Sequence, residues 1–169
     1  MLEAKCSRAN RSRECDPLKN LLLGAAAIVA IVTTAAAQTR APADLIRERQ
    51  GHYKQMGAAL KGINGELHGT APSLPAIRQY SHVLVTYAPQ LLTWFPRGTG
   101  PEAGVRTRAL PVIWTDNENF RRAGAGLLVA ARALDAAAQR GDVEAVRAAM
   151  PQVAHACGNC HDTYRAPEH

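Results

Sequence analysis

This sequence predicts an all-α fold, an antiparallel four-helix bundle, on three observations. Alanine dominates the apolar residues while aromatics make up only 5% of the chain. Alanine has the best helix propensity, and few β-branched or aromatic runs are left to fill a sheet. Several segments carry an apolar stripe in alternating steps of three and four, the spacing that lines one face of a helix. Glycine and proline punctuation separates those segments by mostly short breaks, as bundle topology requires. At 169 residues and 47% hydrophobic, the chain suits one domain with its own core.

The amino terminus, residues 1–37, reads as a cleaved export signal. Lys5, Arg8, Arg11, Arg13 and Lys19 form a positive leader, and Leu21 to Ala36 follows as "LLLGAAAIVAIVTTAA". That run is apolar but short for a membrane span, which disfavours the alternative of an uncleaved anchor. Ala35 and Ala37 supply a small-x-small cleavage pattern, with Gln38 as the new terminus. Cys6 and Cys15 are lost with the leader. Its five basic residues and three acidic ones go too, so the net charge falls from +6 to +4 in the mature domain, residues 38–169. A mildly basic, periplasmic domain follows. With no basic run interleaved with aromatics, nucleic acid is not an expected partner.

The elements follow in order. A first helix starts after Pro42 and weakens at Gly62 and Gly65; its stripe is Tyr53, Met56, Leu60, Ile63 and Leu67, with Arg49 four residues before Tyr53. "GTAPSLP" breaks the chain. The second run carries Ile77, Tyr80, Leu84, Tyr87, Leu91 and Trp94, and Pro89 interrupts it. "PRGTGPEAGVRTRALP" is a long loop dense in glycine and proline. A third helix opens at "TDNE", where Thr115 and Glu118 have capping-box spacing, and carries Phe120, Gly124, Leu127, Ala131, Leu134 and Ala138. "RGD" is the last turn. Asp142 caps a fourth helix with Val143, Val146, Met150, Val153, Cys157, Cys160 and Tyr164 on its seam, and Pro151 predicts a bend within it.

The chemistry sits on that last seam, in "HACGNCHDTYR". Cys157 and Cys160 face the core, and His161 is one step round from Cys160. Cys-x-x-Cys-His is the attachment signature of c-type haem: each thiol adds to one vinyl group, and the histidine is an axial iron ligand. A redox disulfide pair needs no following histidine and comes with a βαβ pattern absent here. Structural zinc needs a second ligand pair, and neither His155 nor His169 makes a familiar spacing with the cysteines. One covalent haem c per chain is the expected cofactor. A haem-free helical protein with a Cys157–Cys160 disulfide is the distant alternative.

"RQGHYKQM" near the start, "FPRGTGPEAGVRTRALPVIW" in the middle and "CGNCHDTYR" at the end, in that order, resemble the cytochrome c′ and class II c-type cytochrome family. The similarity spans about Ala43 to Arg165. It implies an up-down-up-down bundle, the fold the helical stripes reach independently. The resemblance further implies that Cys157 and Cys160 hold the haem, that His161 is the proximal ligand, and that Arg165, one turn on, lies beside the proximal face. Arg49 and Gln50 match the family's Arg-Gln pair, which contacts the haem propionates; on spacing alone Arg49 reads as a snorkelling surface arginine. The resemblance also implies that Phe95 and Trp94 help wall the pocket, a role compatible with plain core packing.

The sixth coordination position decides the function. Low-spin relatives carry a ligating methionine four residues after the motif arginine; here that residue is Tyr53. A neutral phenol with a pKa near 10 is a poor ligand and suits the bulky screen of high-spin, five-coordinate members. Met56 is the remaining candidate ligand, and His52, off the stripe, reads as a solvated histidine. The expected function is one-electron transfer by an exported haem c protein able to bind nitric oxide or carbon monoxide. A low-spin carrier ligated by Met56 is the alternative. With no acid–base pair beside the iron, catalysis is not expected. Expected partners are unidentified redox proteins, a small gas and a second copy in a homodimer, with Tyr80 and Tyr87 facing either core or partner.

Overall fold

The structure is a computed structural model that describes residues 40–167. The export signal, Cys6, Cys15, Gln38 and His169 lie outside the described residues. Within them, the order is α1 (Pro42–His68), α2 (Leu74–Tyr87), a 3-10 stretch (Ala88–Trp94), a 3-10 turn (Pro101–Ala103), α3 (Val112–Thr115), α4 (Asn117–Arg140) and α5 (Val143–Tyr164). The four long helices form the bundle. Consecutive long helices pack most closely, α1 on α2, α2 on α4 and α4 on α5; the α1–α2 and α4–α5 connections are short, whereas residues 88–116 join α2 to α4.

Each helix starts and stops for a local reason. Pro42 opens α1, where its missing N–H is already an orphan. Ser73 caps α2 by accepting from the Ala76 amide at 3.4 Å. Gly141 ends α4 at φ +74, the left-handed turn that favours glycine, and the amides of Gly141 and Asp142 reach back to Ala138 and Ala137. Asp142 then caps α5 as expected, accepting from the Ala145 amide at 2.9 Å.

Several local expectations need correction. The Thr115–Glu118 capping box does not form. Thr115 closes the one-turn α3, and Asp116 precedes α4 with no side-chain cap bond; the Asp116 carboxylate instead accepts from the Asn119 side chain and the Tyr164 hydroxyl. Helix α1 does not weaken at Gly62 or Gly65 but runs unbroken to His68. Gly62 is where the Tyr80 ring of α2 lies against α1: a Cβ there would sit 2.6 Å from it. Helix α5, by contrast, runs through Pro151 as expected, with the proline on an exposed side.

The stripes meet as one core. Ile63, Ile77, Leu84, Leu134, Val146 and Val153 are all but fully buried, and the whole predicted α4 stripe from Phe120 to Ala138 is buried. Tyr80 and Tyr87 are half-buried against it.

Candidate functional site

At the end of the bundle where α5 finishes, the helices part around a cavity of about 520 Å³. Cys157, Cys160 and His161 line it from the last turns of α5, and Arg49, Gln50, Tyr53 and Met56 line it from α1. Phe95 and Arg165 reach it from the segments after the 3-10 stretch and α5. All nine residues expected at the site therefore border one space. Trp94 does not. At the end of a 3-10 stretch successive side chains point in widely different directions, and the indole turns away from Phe95 to lie behind Tyr53, edge-on at 5.4 Å between centroids.

That same turn overrules the reading of His52 as solvated. Its ring is half-buried between Tyr87 and Trp94, 4.8 and 4.6 Å away, and its Nδ1 is buried with no hydrogen-bond partner. The break of α2 at Tyr87 brings both aromatics onto α1, which the α1 sequence alone could not reveal.

Arg49 is no surface arginine either: it is 3% exposed. Nη1 donates to the Thr99 hydroxyl at 3.0 Å and the Trp94 carbonyl at 3.4 Å. Nη2 donates to the Thr99 carbonyl at 2.7 Å and the Thr107 hydroxyl at 2.9 Å. The guanidinium also lies 4.6 Å over the Phe95 ring. Neutral acceptors and a ring face thus compensate the buried charge, and burial holds the guanidinium below its usual pKa. Gln50 works beside it, donating to the Arg106 carbonyl at 3.0 Å. The long loop is stitched to α1.

On the other side the loop is zipped to the chain end. Ala109 and Arg165 form an antiparallel bridge, the Leu110 amide donates to the Tyr164 carbonyl at 3.0 Å, and the Ala166 amide donates to the Arg108 carbonyl at 2.8 Å. Arg108 Nε returns a bond to the Ala166 carbonyl at 2.7 Å. This strap brings Arg108 to the cavity wall with Thr107, and Lys54 reaches it from α1, three lining residues the sequence reading missed. The only sequence signal for the two loop residues was a basic "RTR", which says nothing about pairing with residue 165.

The electrostatics follow from this placement. Burial pushes the Cys157 thiol up, against the pull of Arg165, and pushes the Cys160 thiol to about 11, helped by Cys157. Both stand as free thiols. Burial lowers the His161 pKa, and the guanidiniums of Arg165 and Arg108 lower it further, so a neutral imidazole with a free lone pair is favoured. Burial also raises the Tyr53 phenol well above its usual value.

These residues fit a haem c. Two free thiols and an imidazole face one space from consecutive turns, the walls are apolar through Leu84, Leu91, Phe120 and Leu127, and cationic and amide groups gather at the rim. A flat apolar ring bearing two carboxylates asks for that distribution. Among the described residues no group of three or more His, Cys, Asp or Glu could hold a bare metal ion, so the structural-zinc alternative has no ligand set there.

Known proteins agree. The family model described as cytochrome C′ matches residues 44–165. Cytochrome c′ of Rubrivivax gelatinosus is 30% identical over 129 residues, covering 76% of this chain and 98% of that protein. The crystal structure of cytochrome c′ from Thermochromatium tepidum superposes with a TM-score of 0.71 at 31% identity, covering 76% of this chain and 98% of that one. The nitric oxide complex of a cytochrome c prime variant from Alcaligenes xylosoxidans gives 0.67 at 29% identity, covering 75% and 97%. The chain belongs to the cytochrome c′ family, haem proteins of electron transport rather than enzymes.

Proposed function

We propose that this chain carries one covalent haem c with five-coordinate iron, transfers single electrons, and binds nitric oxide or carbon monoxide. Haem c supplies the ferric–ferrous cycle and an iron centre open to a diatomic gas. Cys157 and Cys160 would hold it through thioethers and His161 would bind the iron, as the Cys-x-x-Cys-His pattern requires. Arg165 and Arg108 add positive charge beside His161. Gln50 and Lys54 stand at the rim, where the carboxylates of such a group need donors.

The observation that carries the five-coordinate reading is Tyr53. Its ring lines the cavity, and burial keeps its phenol protonated. A protonated phenol is a weak ligand, so Tyr53 screens the space without filling it chemically. The apolar wall disfavours water and anions and favours a small neutral molecule. The relative from Alcaligenes xylosoxidans, solved as its nitric oxide complex, supports the same choice. Met56 also lines the cavity, at 6% exposure, which keeps a six-coordinate carrier as the second reading.

Visible spectra of the mature protein test this. A broad, unsplit reduced band that shifts sharply under carbon monoxide is expected. Sharp split bands indifferent to carbon monoxide, restored to gas sensitivity by Met56→Leu, would establish the six-coordinate carrier instead. The export signal and periplasmic location, usual for the family, are proposed with it. Amino-terminal sequencing of the purified protein should begin at Gln38.

A further inference from the structure

A second space lies on the outer surface between α4 and α5, a groove of about 360 Å³. Ala123, Gly126, Ala130, Ala133 and Ala156 are its small lining residues. Ala123 and Ala156 also line the main cavity. The two residues that border both spaces thus present no more than a methyl group. Elsewhere the cavity lining is mixed: Leu84, Leu91, Phe120 and Leu127 are large, while Gly57, Ala109 and Gly124 are small.

The groove suits a small neutral occupant. Most of its polar lining groups are already engaged, Gln152 excepted. Arg122 pairs with Glu118 and donates to the Asn119 side chain at 2.7 Å, and Asn159 is hydrogen-bonded to His155 at 3.2 Å. Beside them Val129, at 69%, is the exposed large hydrophobic residue of the described chain. An ion entering the groove would trade water for methyl groups, whereas an apolar diatomic gains by leaving water. The cavity mouth differs: it is polar, and α1 ties its loop down through Arg49 and Gln50.

We propose that the α4–α5 groove is a side passage by which small neutral gases reach the haem cavity, gated by the methyl groups of Ala123 and Ala156. The proposal rests on the gas-binding reading above. Ala123 on α4 and Ala156 on α5 put only methyl groups at the gate. Larger or charged molecules are held out by the same narrow wall.

Gly126 allows a clean test, since it borders the groove but not the cavity, and a Cβ built on it meets nothing within 4 Å. Gly126→Leu should fill the groove and favour the helix, and Gly126→Ala should do so in part. The measurement is carbon monoxide association with, and dissociation from, the ferrous haem protein, by flash photolysis and ligand replacement, alongside the visible spectrum. A passage changes a barrier and not an affinity, so both rate constants should fall by the same factor, several-fold for leucine and less for alanine, with the spectrum unchanged. Rates equal to the parent's in both variants would overturn the passage. So would a changed affinity or spectrum, because the effect would then lie at the iron. A parent protein whose spectrum ignores carbon monoxide would instead sink the gas-binding reading itself, and the two failures are distinct.

Discussion

Arg49 holds Thr99 by both ends of its guanidinium, Nη1 on the hydroxyl at 3.0 Å and Nη2 on the carbonyl at 2.7 Å. Nη2 also holds Thr107 at 2.9 Å. A single side chain on α1 therefore fixes a loop fifty residues away in sequence. Without it, Thr99, which is 1% exposed, keeps a carbonyl in the interior that has lost its donor. Arg49→Ala should cost roughly 2–4 kcal/mol of stability, as lost charge-assisted bonds and orphaned acceptors do. Arg49→Lys should recover little, because an ammonium cannot reproduce the fork. Urea denaturation measures the loss, and limited proteolysis should cut first between residues 95 and 110.

Gly62 and Gly51 both lie on α1, yet alanine should act oppositely at the two. At Gly62 the added methyl would meet the Tyr80 ring at 2.6 Å, while at Gly51, which does not line the cavity, it would meet nothing within 4 Å. Gly51→Ala should stabilise by up to ~1 kcal/mol through helix propensity. Gly62→Ala should be net destabilising, since overpacking costs about 1–3 kcal/mol and outweighs that gain. Thermal unfolding of the pair reads both signs.

The two capping motifs read from the sequence should also separate. Asp142 accepts from the Ala145 amide at 2.9 Å, so Asp142→Ala should cost about 1 kcal/mol. Thr115 caps no amide; its hydroxyl bonds back to the Val112 carbonyl at 3.4 Å. Thr115→Ala should change stability by less than about 0.5 kcal/mol, measured in the same denaturation assay.

Tyr53 sets a pH dependence at the alkaline end. Burial raises its folded pKa above the unfolded value, near 10 for a free phenol. Its contribution is therefore fully present below about pH 10 and is lost as pH rises toward the folded pKa, because the unfolded chain releases the proton first. Between about pH 10 and 12 the parent should lose up to ~1.4 kcal/mol per pH unit more than Tyr53→Phe. Parallel curves for the two proteins would show that the phenol ionises freely in the fold.

The repeating and the local were legible in the sequence. Stripes of three and four are written along each helix, so the bundle and its buried seam followed from the chain alone. The attachment motif lies within one turn and a half of α5, so the grouping of Cys157, Cys160 and His161 on the cavity side needed only helical geometry. Tertiary structure decided whatever depends on segments far apart in sequence. The burial of Arg49 depends on Thr99 and Thr107, the environment of His52 on a helix break at Tyr87, and the place of Arg108 on its pairing with the chain end. Periodicity reports which face of a helix is apolar, but not which loop will offer that face its carbonyls. The partners that settle a buried cation or an unpaired imidazole come from elsewhere in the chain and are chosen only when the helices pack.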